Sequence, residues 1–236
     1  MQITNTRIYG LDESVLASGL PMMYADATGN EFSNGLAKMK REWGECFDKE
    51  FTERQFNRAF RLGRCEGGES HDCYLVGIVV QMNVTAPRYW WPEFQRYHFA
   101  DIVSSTSTMH RLKSFARKAN ELLNEGNVDE YRRLVEEHFS PNVNPAVLEA
   151  FMKFISSVSM ETEDNVELLK ASLPDGWLQT ARITTNYRQL KTMYRQRKDH
   201  RLKEWRDFCE LIETLPKFKE LTLCYIEDVP EASNEG

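Results

Sequence analysis

The chain has 236 residues, of which 41% are hydrophobic and 28% charged, and it carries a net charge of −6. That length can bury one large core or two small ones. The acidic balance argues against a non-specific grip on nucleic acid, and the lack of an apolar run long enough to cross a bilayer argues against a membrane span.

In chain order, residues 1–30 show no strong pattern, with IYGLDESVLASGLPM suggesting a short strand or helix. The first residues lack the basic start and apolar stretch of a secretory signal. From 34 to 62, Leu36, Met39, Trp43, Phe47, Phe51, Phe56 and Phe60 recur at helical spacing, so helices are expected. The glycines of GRCEGGES (63–70) predict a loop. YLVGIVVQMNVTAP (74–87) is rich in β-branched residues and halts at proline, which predicts a strand. MHRLKSFARKANELLNEG (109–126) predicts an amphipathic helix closed by Gly126. Helices are expected at about 128–138, 145–158 and 162–171, then a turn at LPDGW (173–177). Helices at 184–197 and 200–215 follow, the second with Leu202, Trp205, Phe208, Leu211, Ile212 and Leu215 on one stripe. LTLCYIED suggests a last strand. The fold class is α+β, mostly helical, around a central mixed or antiparallel sheet.

Four stretches carry chemistry. PRYWWPEFQRYHF (87–99) fits a core or subunit interface by its aromatics, and a site by Arg96 and His98, which could meet an anionic or flat ligand. The hydroxyls of SSTSTMHR (104–111) fit a helix cap, with Thr108 capping a helix from Met109, or a phosphate-facing helix start. TTNYRQLKTMYRQRKDHRLKEWRDF (184–208) is a basic island in an acidic chain. Its Arg188, Lys191 and Arg195 share one helical face, either a solvated face or a phosphate site. In ESHDCYL (69–75), His71 is a lone histidine, and Cys73 fits a buried small hydrophobe better than a nucleophile. Cys46, Cys65, Cys73, Cys209 and Cys224 form no CxxC pair and are odd in number, so they read as reduced thiols of a cytoplasmic protein. No metal site is expected, because no ligand pair has finger-like spacing. GxSxG, HExxH, P-loop and GxGxxG motifs do not occur.

In series, these segments resemble the flavin-dependent thymidylate synthases. That family shows Arg-His-Arg, seven residues, then Ser, shortly after a strand ending in Ala-Pro. Here Ala86-Pro87 is followed by Arg96-Tyr97-His98, and seven residues later stands Thr106, with Ser107 beside it. His71 precedes the strand, with Cys73 where the family often has Thr. Lys170 stands before Leu173-Pro174, then come Asn186-Tyr187-Arg188, Arg197 and His200, in the family's order over about residues 70–210. The blocks APRYWW, STMH, LP-G-LQ and QRK-HRL-EW are similar to those of a divergent branch from phages and gut bacteria.

The resemblance implies a single domain over 1–236 and a cytoplasmic homotetramer that binds FAD and a pyrimidine nucleotide. NADPH and methylenetetrahydrofolate would be co-substrates, and a one-carbon unit would pass to uracil C5 without a cysteine nucleophile. Nucleic acid and membrane would not be direct partners. Arg96 and Arg197 would be catalytic. His71, Cys73, Arg96, His98, Asn186, Arg188 and His200 would hold flavin. Glu93, Thr106, Ser107, Lys170 and Arg197 would face the nucleotide, Arg197 at the uracil carbonyls. Tyr97 and His98 depart from the signature triplet, and Thr108 or Met109 stands where the family has a phosphate-binding Arg. Two alternatives therefore stay open: C5-hydroxymethylation of a pyrimidine nucleotide, and a non-catalytic nucleotide- or partner-binding protein on the same scaffold.

Overall fold

The computed structural model describes residues 1–19, 21, 49–65, 70–158 and 164–223. Four strands, β1 (Gln2–Tyr9), β2 (Val79–Pro87), β3 (Asp101–Ser105) and β4 (Leu178–Asn186), form an antiparallel sheet in the order β1-β2-β4-β3. The described helices are α1 (Leu11–Ala17), α2 (Lys49–Gly63), α3 (Trp91–Phe94), α4 (Thr108–Asn124), α5 (Val128–His138), α6 (Pro145–Ser157), α7 (Asp164–Ala171), α8 (Tyr187–Arg197), α9 (Lys203–Ile212) and α10 (Phe218–Thr222). Two compact units divide the chain. One holds residues 1–5 and 82–183, the other 6–81 and 184–236.

In the first unit, alternation along the strands separates two chemistries. Met82, Val84 and Ala86 of β2 and Ala181 and Ile183 of β4 are buried, as one face of a pleated strand requires. The opposite face is polar. Thr85 and Thr180 share a 2.7 Å hydroxyl contact, and Arg182 donates to the Asn83 side chain at 3.3 Å and to the Asn5 carbonyl at 2.7 Å. Helices α4 to α7 enclose a second core built on Phe115, Phe139, Phe151 and Trp177. Phe115 and Phe139 each meet Trp177 edge-on with centroids 5.2 Å apart, the geometry the aromatic quadrupole favours. α4 starts because Ser107 accepts from the His110 amide, and Gly126 follows the helix at φ 70, a left-handed conformation that favours glycine.

In the second unit, α8, α9 and α10 bury Tyr187, Leu190, Met193, Trp205, Phe208 and Phe218. Tyr187 packs edge-on against Phe218 at 5.2 Å and donates its hydroxyl to the Pro216 carbonyl at 2.6 Å. Gly10 turns the chain from β1 into α1 at φ 71, where a Cβ would stand 2.6 Å from the Gly77 carbonyl oxygen.

The structure revises several sequence expectations. Residues 1–30 begin with a strand and a helix. The predicted strand at 74–87 starts only at Val79, because Cys73–Gly77 is a 3₁₀ turn. β3 and β4 were not foreseen. Helix α8 begins at Tyr187 instead of 184, and the last long helix is confined to Lys203–Ile212. Leu221 and Thr222 end α10, Leu223 caps it, and residues 224–228 of the expected last strand, like residues 34–48, lie outside the described residues.

Candidate functional site

In the second unit the site is built from the residues before β2 and the basic helix α8. His71 and Cys73 are exposed, so the expectation of a buried Cys73 is overturned. A 3₁₀ turn places Cys73 on the surface while turning Asp72 inward, to 3% exposure. The Asp72 carboxylate accepts from Lys191 Nζ at 2.8 Å, and the same ammonium donates to the carbonyls of Gly63 at 2.7 Å and Cys65 at 2.9 Å. Lys191 is thus neither a solvated charge nor a ligand-facing one. Burial lowers its pKa from the usual lysine range, and the Asp72 carboxylate works against that shift. Arg188, one helical turn back on the same face, brings Nε to 3.0 Å from the other Asp72 oxygen as an ion pair outside hydrogen-bond geometry. Its side chain is 36% exposed, and neither Nη has an acceptor among the described residues.

Asn186 caps α8 by accepting the Gln189 amide at 2.9 Å. At the other end of α8, Arg197 lies over the Trp205 ring, Cζ 4.6 Å from its centroid. His200 Nδ1 accepts the Leu202 amide at 3.2 Å, which leaves the ring proton on Nε2, and the His200 carbonyl accepts from Arg206 at 2.6 Å. Arg197 and His200 therefore share one corner, packed on one tryptophan.

In the first unit, the aromatics of PRYWWPEFQRYHF meet the core reading. Trp90, Trp91 and Phe94 are buried, with Trp90 and Phe94 stacked at 5.0 Å. Arg96 and His98 are exposed, and neither side chain has a partner among the described residues. Glu93 is partly buried and takes the Arg96 amide on its carbonyl at 3.3 Å. Phe99, 72% exposed, sits at φ 58, a conformation non-glycine residues seldom adopt. The Thr106 hydroxyl donates to the Thr180 carbonyl at 3.2 Å, and its amide does so at 2.9 Å. Ser107 caps α4 in place of the expected Thr108, and its hydroxyl also meets His110 Nδ1 at 3.1 Å. Lys170 is exposed in the last turn of α7, its side chain without a partner among the described residues. Arg111 is turned inward, donating to the Leu178 carbonyl at 2.9 Å above Trp177.

The sequence reading left out the contact between Asp72 and Lys191. Only the fold joins them, across 119 residues of chain. Among the described residues no three His, Cys, Asp or Glu side chains converge as a metal site.

Neither a family model nor a curated protein matches the sequence. Solved structures do. A flavin-dependent thymidylate synthase, ThyX, from Helicobacter pylori, complexed with FAD and dUMP, superposes with a TM-score of 0.64 at 17% identity, covering 94% of this chain and 98% of that one. A second structure of that enzyme with FAD and dUMP gives 0.62 at 19% identity, over 94% and 98%. The UMP/dUMP methylase PolB from Streptomyces cacaoi, bound with 5-Br dUMP, gives 0.52 at 14%, over 93% and 91%. The chain has the α+β fold of the flavin-dependent thymidylate synthases.

Proposed function

We propose that this protein uses FAD to transfer a one-carbon unit to C5 of a pyrimidine deoxynucleotide, a dUMP-to-dTMP type of reaction, within the divergent phage and gut-bacterial branch. The reading rests on one coincidence: the shared fold spans 94% of the chain, and the motif residues Arg96, His98 and Lys170 fall in it as exposed side chains without an acceptor among the described residues. NADPH and methylenetetrahydrofolate are the proposed co-substrates and a homotetramer the proposed assembly. In the described residues no helix is long and apolar enough to cross a membrane.

The donor set suits a flavin dinucleotide and a nucleotide monophosphate. Arg96, His98 and Lys170 are exposed, and Arg188 is partly exposed. Guanidinium and ammonium groups with open donors are what phosphates and ring carbonyls require. Bound FAD would supply the hydride that reduces the transferred carbon. In this reading Arg188, Asn186, His200, His71, Cys73, Arg96 and His98 hold the flavin. Lys170, Glu93, Thr106 and Ser107 face the nucleotide. Arg197, braced on Trp205, stabilises negative charge developing at the uracil carbonyls. The hydroxyls of Thr106 and Ser107 already serve β4 and the α4 cap, so these residues contribute mainly by placing backbone at the helix start.

Thr108 and Met109 occupy the position at which the family places a phosphate-binding Arg, and this favours a second reading of the substrate, a different pyrimidine nucleotide or a hydroxymethyl product. Titrating FAD into purified protein, with and without dUMP, tests the proposal. Tight FAD uptake and a flavin spectrum that shifts with dUMP support it. No FAD uptake refutes it, and FAD bound without response to dUMP moves the substrate to another pyrimidine nucleotide.

A further inference from the structure

We infer that Asp72 is a positioning residue: its buried carboxylate anchors Arg188 and so sets the direction in which that guanidinium presents its open fork. The inference rests on the flavin-binding reading above.

The geometry behind it is local to one unit. Asp72 is 3% exposed and Lys191 2% exposed, so this pair is withdrawn from water. Removing two charges from water is costly, and a buried pair contributes little net stability compared with apolar residues of similar size. Its distinctive effect is geometric. Lys191 ties the last carbonyls near the end of α2, Gly63 and Cys65, to Asp72 in the turn before β2. Three donors on one ammonium leave Asp72 little freedom to rotate. The remaining carboxylate oxygen then faces Arg188 Nε at 3.0 Å. Nε is the inner nitrogen of the guanidinium, so pinning it fixes the plane of the group while both Nη groups keep their donors open among the described residues. A guanidinium on a flexible stem loses rotamer entropy when it binds an anion, and an anchor at Nε removes part of that loss beforehand. The acid that does this lies between two of the motif residues and belongs to none of the motifs.

The test uses the full-length protein and FAD affinity measured by flavin fluorescence. Arg188→Met and Asp72→Asn should each weaken FAD roughly ten- to a hundredfold. Together they should be no worse than the weaker-binding single variant, because both remove the same contact. Asp72→Asn strands the Lys191 ammonium, so Asp72→Asn/Lys191→Met serves as the second variant. Its thermal midpoint should rise above that of Asp72→Asn while FAD affinity stays low. A purely structural role predicts that affinity returns with stability, and that result overturns the inference. So does FAD affinity within twofold of wild type in Asp72→Asn, or losses that multiply in Asp72→Asn/Arg188→Met. Wild-type protein that takes up no FAD overturns the functional reading and this role with it, whereas FAD bound by wild type with multiplying losses overturns only the positioning role.

Discussion

Replacing Lys191 by Met separates a buried charge pair from ordinary packing. Met matches the length of the lysine stem, so little cavity opens and the change is mostly electrostatic. The variant loses three hydrogen bonds, to Asp72, Gly63 and Cys65, and leaves the Asp72 carboxylate inside the protein with only Arg188 Nε nearby. Breaking a buried pair by removing one partner costs roughly 3–5 kcal/mol, and the surviving Arg188 contact places this case toward the lower end. That is a large part of the roughly 5–15 kcal/mol of a typical domain. In Asp72→Asn/Lys191→Met the stranded charge is gone and an unpaired amide remains, so the cost should fall to about 1–3 kcal/mol. Urea unfolding followed by tryptophan fluorescence reads both, since Trp205 is buried in the same unit. At a slope of about 1–3 kcal/mol per molar urea, Lys191→Met should lower the midpoint by roughly 1–3 M. A loss below about 1 kcal/mol, or a double variant less stable than Lys191→Met, would refute the reasoning.

Arg197→Ala should weaken dUMP roughly ten- to a hundredfold by removing a charge-assisted donor, and its loss of the contact with the Trp205 ring should by itself cost about 0.5–2 kcal/mol of stability; unchanged dUMP affinity would remove Arg197 from the site. Iodoacetamide at neutral pH should modify exposed Cys73 and spare Cys209, whose thiol burial pushes up to about 12 with help from Glu213 and Asp199; equal labelling in peptide maps would contradict this. His138 has a lowered pKa, chiefly from burial and secondarily from Arg111, against the opposing bond to the Leu134 carbonyl. Below the ordinary imidazole value of 6.5 the unfolded chain takes up a proton that the folded chain resists, so stability falls as pH drops through that window and is unaffected by this group above it. His138→Phe should flatten the acid limb of a pH series of thermal midpoints, and an unaltered slope would exclude His138 as its source.

The helices at 108–124, 128–138 and 145–157 were legible because each turns an apolar stripe inward, buried in the first and third and half-buried at Tyr131, Leu134 and Val135 in the second, and each has a cap at Ser107, Asn127 or Asn144. β4 was not, because its solvent-side positions Thr180, Arg182 and Thr184 dilute the apolar signal, and its partners are distant in sequence. β3 was hidden for a related reason: as an edge strand with four exposed residues among its five, it has no buried face to pattern. The order of basic and aromatic motifs pointed to the fold, whereas Asp72 was invisible as a site residue, since an acid between His71 and Cys73 acquires meaning only when α8 brings Lys191 and Arg188 to it.

The central claim is tested most directly by incubating the protein with FAD, NADPH, methylenetetrahydrofolate and dUMP and identifying the nucleotide product by mass spectrometry. The account predicts conversion of dUMP to thymidylate or, if the Thr108 and Met109 substitutions redirect the substrate, C5 modification of another pyrimidine nucleotide offered in its place. Flavin-loaded protein that leaves every pyrimidine nucleotide unchanged would contradict it and assign the fold here to binding without catalysis.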